Sequence, residues 1–221
     1  MKKNTILGII CVAILSSCNH TLEYNNIDRN DIEGYENFIS KYPSSSHVVD
    51  ARERIENAIK IAEEAKLEEE RLNIIKKYEN NSLINGTQPY KQWYGKNSYY
   101  DNYTPHSEIQ DKAPFNSDAI VIIRKNNHNG RVAGHKYIKA GNSVTIYLAN
   151  GENYQTFFYL GNGWNPEKIM KNGIMGGFVK DESYLKDETP IYLDNNILSY
   201  ELTMSQFGNF SAGSSNENEI F

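Results

Sequence analysis

Asp181, Glu182, Asp187 and Glu188 could bring paired carboxylates to one point, the arrangement that glycoside cleavage and calcium binding both need. They flank Tyr184 and Leu185 in a stretch that reads as a polar loop, where solvated, splayed side chains are the expectation. His20, His47, His106, His128 and His135 fall in different elements and lack the i, i+4 spacing that sets two imidazoles on one helix face for zinc. No G-x-S-x-G elbow offers an activated serine. Residues 161–166, GNGWNP, form a glycine-rich loop without the Lys-Ser or Lys-Thr of a phosphate cradle. No catalytic residue, metal or cofactor is expected. Side chains suited to recognition are more plentiful: Trp93, Tyr94, Tyr99, Tyr100 and Trp164 could form an aromatic platform for a glycan or a protein. Packing is the competing use of the same rings, and for Trp164 a plug beneath the GNGWNP loop is the preferred reading.

The element that organises these groups is residues 143–159, SVTIYLANGENYQTFFY. Val144, Ile146 and Leu148 alternate with Ser143, Thr145 and Tyr147, and Asn150-Gly151 supplies the positive φ angles of a tight hairpin, so two core strands joined there are expected. Residues 118–124 and 131–138 read as the preceding strands, and 197–204 as the last. Phe157, Tyr159 and Gln155 share one face of their strand, with Tyr154, Thr156, Phe158 and Leu160 on the other, which suits a strand buried on both sides. Residues 170–178 read as irregular, and the terminus should pin itself back through Phe207, Phe210 and Phe221.

Upstream, Ile32, Tyr35, Phe38, Ile39 and Tyr42 recur at helical spacing up to Pro43. A second helix should begin near Ser46, with Asp50 in its first turn, and bury Ala51, Ile55, Ala58, Ile59 and Ala62. It should run on to about Tyr78 as a stem with a thin apolar stripe through Ala65, Leu72 and Ile75, Glu68 to Glu70 forming a solvated face. Residues 80–114, broken by Gly86, Pro89, Gly95, Pro105 and Pro114, read as a joint whose aromatic content places it against the head.

At the start, Lys2 and Lys3 precede an apolar run from Ile6 to Leu15, too short for the ~20 residues that cross a bilayer, which is the pattern of an export signal. Leu15-Ser16-Ser17-Cys18 resembles the bacterial lipobox. The resemblance implies cleavage between Ser17 and Cys18 and acyl chains on Cys18, enough for a stable anchor. Cys11 would leave with the leader, so the mature chain would keep no free thiol. The formal charge of −5 becomes more negative without Lys2 and Lys3, and no basic stripe is present, which argues against nucleic acid as a partner.

Residues 35–55 resemble one tetratricopeptide-type helical hairpin of envelope lipoproteins, through Tyr35, Phe38, Tyr42, Pro43, Ser45, Ala51 and Ile55; a single repeat does not make a groove-forming array. The string from Tyr137 to Pro166, with GGFV at Gly176, SYELTM and GNF at Gly208, resembles the C-terminal domain of uncharacterised bacterial envelope lipoproteins and, loosely, transthyretin-like or carboxypeptidase-regulatory sandwiches. These likenesses imply a fold and transfer no functional residues.

The expectation is thus an α+β chain: signal peptide 1–17, lipidated tether 18–30, helical hairpin and stem 31–79, joint 80–114, and antiparallel β-sandwich 115–221. It would be anchored through Cys18, most simply in the outer membrane facing the periplasm, with surface display open. Its head would be a non-catalytic binding module for an envelope protein or glycan; an inhibitor or immunity lipoprotein, and an enzyme using the acidic residues 181–188, are the alternatives.

Overall fold

The computed structural model describes residues 20–97, 105–126, 130–202 and 212–221. Ser17, Cys18, Tyr99, Tyr100, His128, Phe207 and Phe210 lie outside them. The chain is α+β and divides into two compact units, residues 1–72 and 73–221.

In the first unit, residues 20–25 are helical and are followed by α1 (Ile32–Lys41) and the start of α2 (Val48–Tyr78). Asp31 caps α1 by accepting from the Gly34 N–H at 2.8 Å, and the chain leaves the helix at Tyr42, before Pro43. Tyr35, Phe38 and Ala51 are buried as the helical spacing requires. Their core is completed by Tyr24, whose ring stacks on His47 at 4.6 Å and whose hydroxyl donates to Asp50. The inward face of α2 ends sooner than the sequence implies: Ala58 is buried, but Ile59 is 44% exposed and Ala62 and Ala65 are exposed. This stretch carries the exposed pairs Lys60–Glu64 (3.9 Å), Lys66–Glu70 (4.0 Å) and Arg71–Glu68 (2.8 Å), each worth a few tenths of a kcal/mol to the helix. Among the described residues no helix is long and apolar enough to cross a membrane.

The second unit is built on two sheets. The smaller has the order β4-β1-β8, from β1 (His106–Lys112), β4 (Ser143–Ala149) and β8 (Ile197–Glu201). The larger has the order β3-β2-β5-β6-β9, from β2 (Asp118–Lys125), β3 (Val132–Ile138), β5 (Glu152–Ile169), β6 (Met175–Asp187) and β9 (Ala212–Ser214), with β7 (Ile191–Leu193) also on β5. Ile109, Ile146 and Leu148 from the first sheet meet Val121, Ile123 and Phe158 from the second in one core. The sandwich is not wholly antiparallel, because β1 and β8 run parallel.

Three expectations are corrected. The Asn150-Gly151 turn joins two sheets and is not a hairpin: β4 pairs with β1, while β5 lies between β2 and β6. Asn150 holds this corner, its Oδ1 accepting from the Ser107 hydroxyl at 2.7 Å and the Asn195 N–H at 2.9 Å. Next, GNGWNP belongs to strand β5, bulged where the register shifts between Leu160 and Asn162. Gly161 is needed there because Phe178 lies where a Cβ would project. Lastly, residues 175–187 form a continuous strand, β6, where an irregular stretch and a polar loop were expected; Asp181, at a φ of 56°, breaks its alternation.

Candidate functional site

The outer face of the larger sheet is covered by residues 80–97 and by the C-terminal turn α4 (Glu217–Ile220). Residues 80–97 act as a strap along the free edge of β3: the Gly86 N–H donates to the Tyr137 carbonyl and the Tyr137 N–H to the Thr87 carbonyl, both at 2.8 Å. The Asn85 side chain extends the seam, accepting from the Lys139 N–H at 3.0 Å and donating to the Ser143 carbonyl at 2.9 Å. Ser82 fixes the strap's start through Asp118 (3.0 Å) and Tyr137 (3.1 Å).

Tyr90 is the strap's anchor. Its side chain is 0% exposed, its ring lies 5.3 Å from Phe221 and 6.2 Å from Trp164, and its hydroxyl donates to the Gly176 carbonyl at 3.1 Å. Immediately after it, the single turn α3 (Lys91–Tyr94) carries two expected contact residues. Trp93 and Tyr94 are both half-buried and pack on the core beneath, with the Arg124 guanidinium 5.6 Å from the Tyr94 ring centre. Trp164 is 4% exposed and belongs wholly to that core, so the structure separates it from the surface aromatics. Trp93 and Tyr94 each pack edge-on against Tyr90, at 6.5 and 6.0 Å between ring centres, and Trp164 is buried in the same core as a plug.

Beside the strap is an open groove of about 410 Å³ lined by Gly86, Thr87, Gln88, Lys91 and Lys96. The buried Thr87 Oγ1 has no hydrogen-bond partner. A buried hydroxyl left unpaired is destabilising, and a polar ligand in the groove is one way to satisfy it. None of the described lining residues was a site candidate in the sequence, where Gly86 was read only as a chain breaker, because Thr, Gln and Gly carry no binding motif of their own; the signal was the polar, aromatic-rich composition around them.

His135 links the groove's strap to the sheet. Its Nε2 accepts from the Tyr90 N–H at 3.2 Å, which requires the proton to sit on Nδ1, and its ring lies 6.0 Å from that of Tyr90. The Asn97 side chain accepts from the His135 N–H at 3.0 Å. Burial pushes the His135 pKa down from 6.5 to about 4, with the Gln88 backbone opposing. The folded pKa is the depressed one, so this group's stabilisation is complete above about 6.5 and is lost as pH falls toward about 4. Unfolding between those limits should show a loss of about 3 kcal/mol that is absent from His135→Asn. Denaturant titrations at neutral and mildly acid pH read this directly; equal losses in both proteins would remove His135 as the cause.

The four acidic candidates are kept apart. Asp181 accepts from Asn162 at 3.1 Å on the surface. Glu182 accepts from Tyr159 and pairs with Lys168 at 2.6 Å. Asp187 is buried, accepting from the Tyr200 hydroxyl at 2.7 Å and the Thr156 N–H at 3.2 Å, and Glu188 is exposed. The histidines also remain dispersed: His47 stacks on Tyr24, His106 pairs with Glu108 at 3.4 Å, and His135 lies under the strap. Among the described residues no three His, Cys, Asp or Glu side chains are placed to hold a metal ion.

The geometry defines a two-sheet domain whose outer face is strapped and whose strap borders a polar groove. No family model, curated protein sequence or solved structure matches the chain.

Proposed function

We propose that this chain is a lipid-anchored protein of a bacterial cell envelope whose two-sheet head is a non-catalytic binding module for a protein or a glycan. The supporting observation is the groove beside the strap, which Lys91 and Lys96 line and where Thr87 Oγ1 is buried without a hydrogen-bond partner. A volume of about 410 Å³ is within the range of small-ligand sites. The half-buried Trp93 nearby presents an amphipathic ring of the type enriched at recognition surfaces. Anchoring rests on the lipobox-like Leu15-Ser16-Ser17-Cys18, and outer-membrane attachment facing the periplasm is the simplest placement.

Two measurements test the reading. Cys18→Ala should abolish metabolic labelling with palmitate and move the chain from the membrane to the soluble fraction; persistence of both label and membrane partition would overturn the anchor. The leaderless chain should retain an envelope protein or a glycan, from solubilised envelope and on a glycan array respectively. Loss of the retained species on Trp93→Ala or Thr87→Val, with the fold intact, is expected. Retention of nothing in either format would overturn the binding module.

A further inference from the structure

Although the chain is acidic overall, at a formal charge of −5, the described residues that line the groove are two lysines and three neutral residues. Residues 80–97 contain Lys91 and Lys96 and no Asp or Glu. Residues 130–149, which include β3 and β4, contain Arg131, Lys136 and Lys139 and again no Asp or Glu. The seam between strap and β3 brings these two stretches together. Asp118, the carboxylate the strap does touch, is turned inward and saturated by Ser82, Tyr137 and the Ala140 N–H (2.7 Å). Lys136 is occupied by the Thr145 carbonyl at 2.6 Å. Neither Lys91 nor Lys96 has an ion-pair partner among the described residues, whereas Lys60, Lys66 and Lys77 of the long helix, Lys168 of β5 and Lys186 of β6 each pair with a carboxylate.

Resting on the binding-module reading, we infer that the groove takes a small hydroxylated ligand bearing an oxyanion, such as an acidic sugar unit. Two ammonium groups, of Lys91 and Lys96, without an ion-pair partner among the described residues, supply the charge. Thr87 Oγ1 supplies a hydroxyl that can donate or accept, while the Gln88 side chain, which also lines the groove, already accepts from the Asn97 N–H at 3.3 Å. Lysines act as point charges without the fixed fork of arginine, so the site tolerates a carboxylate or a phosphate and sets the anion without dictating its plane. Neutral sugars lack the group that these cations would neutralise.

The test is calorimetric titration of the leaderless full-length chain with glucuronate, glucose 6-phosphate and glucose, at low and raised salt. Either anion should bind at least about tenfold more tightly than glucose, and binding should weaken with salt. A preference between the two anions identifies the oxyanion as carboxylate or phosphate. Lys91→Gln with Lys96→Gln should reduce anion binding by about tenfold or more without altering the unfolding midpoint, since both side chains are exposed. Thr87→Val should weaken all binding without removing the salt dependence. Equal binding of glucose, or an unchanged double variant, overturns the anion assignment and leaves the binding module standing. No binding of either anion also overturns the assignment; the binding module then falls only if the envelope and glycan captures are empty as well.

Discussion

Trp164→Ala will destabilise the second unit by about 3–5 kcal/mol, the range for removing a large aromatic from a packed interior. The ring is 4% exposed and is enclosed by three others, with Tyr137 at 5.8 Å, Phe178 at 5.7 Å and Tyr90 at 6.2 Å between centroids. The first two are edge-on, the geometry aromatic quadrupoles favour. Its fourth wall is Gly176, whose φ of 103° excludes most side chains and whose missing Cβ leaves the space the indole fills. The Trp164 backbone is tied to Asn81, its N–H donating at 2.8 Å and its carbonyl accepting from the Asn81 side chain at 2.6 Å, so the surroundings have little freedom to collapse into the vacancy. Trp93→Ala, by contrast, removes a half-buried ring and should lower stability by about 1 kcal/mol while weakening ligand retention. Guanidinium unfolding of both variants gives the comparison. A loss below about 1 kcal/mol for Trp164→Ala would mean that the indole is no plug.

The parts of the fold that sequence made visible are those where one physical signal acted alone. Alternation placed Val144, Ile146 and Leu148 inward, and continuous apolar character marked residues 154–160 as buried on both faces, as they are. Helical spacing found Tyr35, Phe38 and Ala51. Errors arose where local and long-range preferences diverged. Asn150-Gly151 has the local chemistry of a hairpin, but β5 needs a neighbour on each side, and β2 and β6 fill those places, leaving β4 to β1. Gly161 and Gly163 look like loop residues because glycine ordinarily interrupts strands, yet here one makes room for Phe178 and the other takes a φ of 71° beside a register shift. The groove was invisible for another reason: it exists only because the strap pairs with β3, a contact between residues some fifty positions apart that leaves no periodic mark.

Strand β1 was missed because its sequence, HSEIQDK, puts Ser107, Ile109 and Asp111 inward, and only one of those is apolar. Asp111 is the anomaly: it is 1% exposed and neither carboxylate oxygen has a hydrogen-bond partner. Asp187 on β6 and Lys136 on β3 face it electrostatically, as does the phenol of Tyr200 on β8. Burial raises the Asp111 pKa well above 3.8, the nearby Asp187 raises it further, and Lys136 opposes them. Asp187 is itself raised by burial, although Tyr200 and Thr156 donate to it. Above 3.8 the unfolded chain ionises Asp111 while the folded chain keeps it protonated, so the unfolded state binds fewer protons and stability falls as pH rises. Each pH unit between 3.8 and the folded pKa removes about 1.4 kcal/mol. Asp111→Asn, neutral at every pH and nearly isosteric, should match the parent in acid and exceed it increasingly as pH rises toward neutral. This slope is opposite in sign to that from His135, so the double variant Asp111→Asn, His135→Asn should have a flatter stability profile than either single one. Unfolding midpoints from pH 4 to pH 8 measure all four proteins; parallel curves for the parent and Asp111→Asn would show that the buried carboxyl titrates normally and that water reaches it between the sheets.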